Sequence, residues 1–104
     1  MPRIAFKMKL HPGQATEYQR SHDVLWPELA DLLRETGIRN YSIFLEEETD
    51  SLFGVLEMDQ PAHLDDLPAH PVMQRWWAYM ADIMETNRDN APQSMPLREV
   101  FYMK

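Results

Sequence analysis

Cysteine is absent from the 104 residues. That excludes a disulfide framework, a thiolate zinc site, an iron–sulfur cluster and a cysteine nucleophile. Glycine is scarce, at three residues, and no glycine-rich stretch could cradle a phosphate. Positive charge is also scarce. Lys and Arg total 10 against 17 Asp and Glu, a net charge of −7 with His neutral. Nucleic acid and anionic membrane are therefore not expected as partners, because phosphate contact needs a positive face. No apolar run approaches the ~18 residues of a membrane span. The first residues carry no signal-peptide core or cleavage site, so a cytoplasmic protein is the expectation.

What is present is 44% hydrophobic and 26% charged sequence, enough apolar material for one domain over residues 1–104. A chain this short has little material to enclose a deep cavity within one subunit. Arg3–Leu10 alternates, with Ile4, Phe6, Met8 and Leu10 on one side, and reads as a strand. After the turn signal His11-Pro12-Gly13, residues Gln14–Thr36 carry apolar side chains at three- and four-residue steps, a helical stripe. Pro27 interrupts it, because proline lacks an amide hydrogen and restricts the residue before it. Two helical pieces are predicted, with a break between His22 and Pro27, and Gly37 is the stop.

Ile38–Glu46 and Leu52–Met58 read as strands joined by a polar turn, an antiparallel hairpin. Asp59–Met84 reads as a helical stretch started by Pro61, interrupted by Pro68 and restarted by Pro71. Glu85–Pro96 is a polar loop, long enough in so small a domain to suggest a functional role. Leu97–Met103 reads as the last strand. The order β-α-β-β-α-β predicts an α+β, ferredoxin-like fold: a four-stranded antiparallel sheet with helices on one face. Phe44, Phe53 and Val55 fall on the face away from the helices. An apolar outer face marks an interface, and a symmetric homodimer is the economical way to cover it.

Tyr18 and His22 lie four apart, on one face of the first helix. A histidine near neutrality suits proton exchange, and a helix C-terminus favours its charged form. The same spacing suits a structural histidine bonded to a carbonyl at the break, which is the commoner use. Trp76 and Trp77 point about 100° apart on a helix; they could pack the core or offer ring faces to a sugar. Tyr41 needs a partner for its hydroxyl, from substrate or backbone. The four histidines, His11, His22, His63 and His70, show no zinc-binding spacing. What this set leaves is proton transfer without a cofactor or metal, or ligand binding without chemistry.

The segments Glu17–Leu29 (containing Tyr18, His22, Trp26 and Pro27), Asn40–Leu45, Gln74–Met84 and Glu99–Tyr102 together resemble the L-rhamnose mutarotase family, in order and spacing and from end to end. The loop Asn87–Pro92 departs from the family form at Arg88 and Ala91, where proline and serine are usual. The resemblance implies a cytoplasmic homodimer of ferredoxin-like subunits (a dimeric α+β barrel) that converts the anomers of L-rhamnose without a cofactor, in rhamnose utilisation. It implies that His22 is the proton donor and that Tyr18, Tyr41, Trp76 and Trp77 bind the sugar. The alternatives are a non-catalytic ligand-binding dimer and a cofactor-free monooxygenase of the same fold.

Overall fold

A computed structural model describes residues 2–104. Strand β1 (Arg3–Lys9) leads into helix α1 (Ala15–Asp23) and helix α2 (Pro27–Thr36). Strands β2 (Arg39–Glu46) and β3 (Ser51–Glu57) form the hairpin. A 3-10 segment (Pro61–Ala69), helix α3 (Pro71–Met80) and the short strand β4 (Met95–Leu97) follow. The sheet order is β2-β3-β1-β4, antiparallel throughout. This is the ferredoxin-like arrangement, with the helices over one face.

The break predicted at Pro27 occurs where the proline requires it. Helix α1 ends at Asp23, and Pro27 takes the first turn of α2, whose dipole also favours Glu28 there. Trp26, ahead of the proline, adopts φ −58°, ψ 129°, outside the helical region. Gly37 closes α2 at φ 99°, the left-handed conformation that glycine adopts without a Cβ penalty.

The even positions of β1 and β3 face the helices and form the core. Met8, Leu10, Leu52, Leu56 and Met58 are buried there, with Leu29 from α2 and Met73, Trp76 and Met80 from α3. On β2, Ile43 and Leu45 are half-buried on the same side, while Phe44 on the other side is 62% exposed. Gly54 pairs with Phe6, and a Cβ at Gly54 would stand 2.5 Å from the Phe6 Cζ. The Phe6 ring therefore lies directly across the strand next to it, and only glycine leaves the room.

Two expectations change. The first part of the Asp59–Met84 stretch is 3-10 rather than α-helical, and α3 stops at Met80. The expected last strand, Leu97–Met103, is instead Met95–Leu97. The register explains this. Lys7 faces Met95 and Ala5 faces Leu97, so Glu99 falls opposite Arg3 and Val100 opposite Pro2, which has no amide hydrogen to donate. Strand β1 therefore has nothing to offer beyond Glu99, so Val100–Met103 cannot extend the strand, and the chain already leaves the ladder after Leu97. Arg3 instead holds the departing segment by its side chain: its Nε lies 3.2 Å from Glu99, and its guanidinium sits 3.4 Å from the centre of the Tyr102 ring.

Candidate active site

A cleft of about 1250 Å³, open to solvent, separates the helices from the sheet. The expectation of little room for a deep enclosed cavity fits this form: the space is a furrow between two layers. Strand β1 contributes Phe6 and Met8 to its floor, and β2 contributes Tyr41. Helix α1 brings Tyr18 and His22, and α3 brings Trp76 and Trp77. All five sequence-predicted site residues therefore line one space. The polar loop after α3 joins them through Asn87, Pro92 and Ser94. Its base is tied to β1 by the Glu85 amide donating to Lys9 (2.9 Å), and its tip by the Asn87 amide donating to Ala91 (2.8 Å). The suspicion that this loop matters rested on its length alone; the fold adds that it edges the cleft.

The i, i+4 spacing sets Tyr18 and His22 ring to ring, with centroids 4.2 Å apart. His22 Nδ1 lies 2.9 Å from the Tyr18 carbonyl oxygen. A carbonyl only accepts, so Nδ1 carries the hydrogen and donates it. In the neutral ring the lone pair is then on Nε2. Trp76 meets the imidazole in a T-shaped contact, at 5.4 Å and 87°. Trp76 is 6% exposed and belongs to the main core cluster, while Trp77 is half-buried and packs against that cluster. Core and cleft are thus not alternatives for this pair: both indoles serve both.

Burial decides the protonation states. It pushes the His22 pKa below the ordinary value of 6.5, with the Tyr18 carbonyl and Asp23 opposing but not reversing it. The sequence expectation, a charged form favoured by the helix C-terminus, gives way here to desolvation. Burial raises the Tyr18 phenol well above its usual 10.0, with a smaller contribution from Tyr41. The Tyr41 phenol is pushed up to about 12 by burial, although 38% of the residue surface is exposed. The residue lies on the edge strand β2 and lines the cleft. Both phenols therefore stay protonated as donors.

Among the described residues, neither the Tyr18 hydroxyl nor His22 Nε2 bonds to another protein group, yet no buried side-chain N or O there lacks a partner. Both atoms must therefore remain accessible, and the cleft is the space beside them. Among the described residues, no three His, Asp or Glu side chains converge in a metal-binding group, and no helix is long and apolar enough to cross a membrane.

Sequence reasoning passed over Phe6, Trp26 and Tyr79. Phe6 lies 6.2 Å from Tyr41. Trp26 and Tyr79 stack around Trp76, with centroids 5.1 and 5.7 Å from it. The alternation of β1 placed Phe6 in the core, but only the glycine opposite it could have signalled a special fit. Trp26 was visible as a member of the helical stripe, as the residue before a proline and within the family-like segment Glu17–Leu29, none of which marks a role at the site.

Residues 3–103 match the family model for L-rhamnose mutarotase. An L-rhamnose mutarotase of Rhizobium meliloti (strain 1021) is 55% identical over 104 residues, covering 100% of both chains. One of Sinorhizobium fredii (strain NBRC 101917 / NGR234) is 57% identical over 103 residues, 99% of each chain. The crystal structure of an L-rhamnose mutarotase from Formosa agariphila superposes with a TM-score of 0.94 at 48% identity, covering both chains completely.

Proposed function

The chain belongs to the L-rhamnose mutarotase family, and from that premise we propose that it interconverts the α and β anomers of L-rhamnose. In this reading His22 carries the proton, and Tyr18, Tyr41, Trp76 and Trp77 hold the sugar. The reaction opens the hemiacetal to the aldehyde, turns the C1–C2 bond and closes the ring on the other carbonyl face. Opening removes the proton of the anomeric hydroxyl and delivers one to the ring oxygen. The bond between C1 and the ring oxygen breaks as the anomeric C–O becomes a carbonyl, and closure reverses each change. Nothing is oxidised and no group leaves, so the reaction asks for proton carriers and positioning.

The observation that carries the reading is the state of His22: neutral near pH 7, its Nδ1–H spent on the Tyr18 carbonyl and its Nε2 free beside the cleft. Nε2 takes the anomeric proton as a base. The imidazolium so formed is the donor to the ring oxygen, and the Tyr18 carbonyl steadies it meanwhile. The two protonated phenols donate hydrogen bonds to sugar oxygens. The indoles offer ring faces to C–H surfaces and an apolar wall to the C6 methyl.

His22→Ala should retain the circular dichroism of the parent and slow anomer exchange of L-rhamnose by ~10²–10⁴-fold, the usual worth of one positioned acid–base group. Saturation-transfer NMR reads this rate directly, and an unchanged rate in a folded variant removes His22 from the mechanism. L-Fucose, D-ribose and D-galactose, run beside L-rhamnose, read specificity. No observation favours a binding-only protein or a monooxygenase. Binding without accelerated exchange would point to the first, and oxygen consumption with an aromatic substrate to the second.

A homodimer formed on the outer sheet face belongs to the same proposal, supported by Phe44, Met95 and Leu97 exposed on that side. So does action in the cytoplasm, where a sugar-utilisation enzyme would meet its substrate.

A further inference from the structure

We propose that Trp26 is a positioning residue for this site: from outside the cleft it holds Trp76 in its T-shaped contact with His22, and so fixes where the imidazole can lie. The inference deepens the mutarotase reading and rests on it.

Trp26 does not line the cleft, whereas Trp76 and His22 do. Its reach into the site is therefore indirect. The Trp26 ring meets Trp76 in a T-shaped contact at 5.1 Å and 88°, and lies 5.6 Å from Tyr79. Tyr79 in turn lies 5.7 Å from Trp76. Trp76 thus contacts three rings at once: Trp26, Tyr79 and His22, the last at 5.4 Å and 87°. His22 also has the Tyr18 ring at 4.2 Å, and its Nδ1 is tied to the Tyr18 carbonyl. The imidazole is held by two rings and by one nitrogen, with Nε2 left free.

The backbone makes Trp26 a fixed support. Pro27 confines it to the extended region, at φ −58° and ψ 129°. Its carbonyl accepts the amides of Leu29 and Ala30, both at 3.0 Å. The side chain is therefore aimed by the same break that ends the first helix. The titratable groups near His22 are Tyr18 and Asp23 on its own helix, Tyr41 on β2 beyond Tyr18, and Tyr79 on α3, which adjoins Arg20 and its partner Glu17. Substitution at Trp26 changes none of these charges. What it changes is the packing of Trp76, and with it the access of water to the imidazole.

The test compares Trp26→Leu and Trp26→Phe with the parent. The His22 titration is read by ¹⁵N NMR of the imidazole, and anomer exchange of L-rhamnose by saturation transfer. With Leu, His22 should titrate at a higher pH, closer to the ordinary value of about 6.5. The value of kcat should fall on the order of tenfold, within the 10²-fold that an ångström of misplacement can cost, with KM changed much less. Phe should lie between Leu and the parent in both. A folded Leu variant with the parental titration and kcat overturns the proposal. Should Leu prevent folding, the Phe variant decides by the same two readouts. The titration needs no turnover, so a parent that fails to accelerate anomer exchange would remove the mutarotase reading while Trp26 is still tested.

Discussion

His22 is the residue whose surroundings set the working pH. Its pKa is lowered by burial, so the neutral imidazole persists below the pH at which an exposed histidine charges. The rate constant kcat/KM should therefore be flat through neutrality and fall only as pH drops through a value below about 6.5. A pH–rate profile of anomer exchange, buffered without general-acid catalysts, measures it, and an acid limb centred above 6.5 would contradict the assignment. The linkage has the same direction. On acidification the unfolded chain protonates this histidine first, so its contribution to folding stability declines as pH falls from about 6.5 to the folded-state value. The phenols add no second limb near neutrality, since Tyr41 is pushed up to about 12 and Tyr18 is raised further. The pairing of Tyr18 with His22 was legible in the sequence because helical periodicity fixes it. The lowered pKa was not, because desolvation depends on Trp76, which arrives from another helix 54 positions along the chain.

At the scale of elements, the floor of the cleft depends on a pair of strand positions. Phe6 on β1 covers Gly54 on β3 and approaches Tyr41 on β2. Gly54→Ala would place a methyl 2.5 Å from the ring, and the aromatic side chain must shift toward the cleft or the strands must part. The expected cost is about 1–3 kcal/mol by urea unfolding, in the range of core overpacking, accompanied by a raised KM for L-rhamnose as the displaced ring crowds Tyr41. Equal stability and KM would show that Phe6 has slack. Prolines, turns and alternation made most elements legible, and Pro27 marked the helix break to the residue. The last strand was misread for a reason that propensity does not contain. Residues Leu97–Met103 have strand-like composition, but pairing depends on the partner, and β1 ends at Arg3, opposite Glu99, so Val100–Met103 have no strand to pair with. The 3-10 geometry of Pro61–Ala69 was likewise hidden, since its prolines suit the start of either kind of helix.

At the scale of the molecule, the sheet face turned away from the helices is what a partner would cover. Phe44 on β2 pairs with Phe53 on β3, and Val55 pairs with Ala5, which also pairs with Leu97 on β4. This apolar patch crosses all four strands. Beyond it the segment after Leu97 leaves the sheet with Val100 and Phe101 exposed at 81% and 78%. A monomer with such a face would be prone to association, and a stable dimer requires on the order of 800 Å² buried by each partner, an area that a four-stranded face of this kind can supply. Lys7 and Lys9 fall on the same face by alternation, with Lys7 Nζ 6.0 Å from the centre of the Phe53 ring, so the patch carries its own cationic margin. Phe44→Glu would put a carboxylate on this patch beside Phe53, where a covering partner would have to desolvate it. Sedimentation velocity at micromolar concentration should show a dimer for the parent and a monomer for the variant. Phe44 is 62% exposed on the face opposite Ile43 and Leu45 and also borders the cleft, so a monomeric variant that keeps anomer exchange would show each cleft to be complete within its own subunit. A parent that sediments as a monomer would remove the dimer altogether, and the exposed face would then need another occupant.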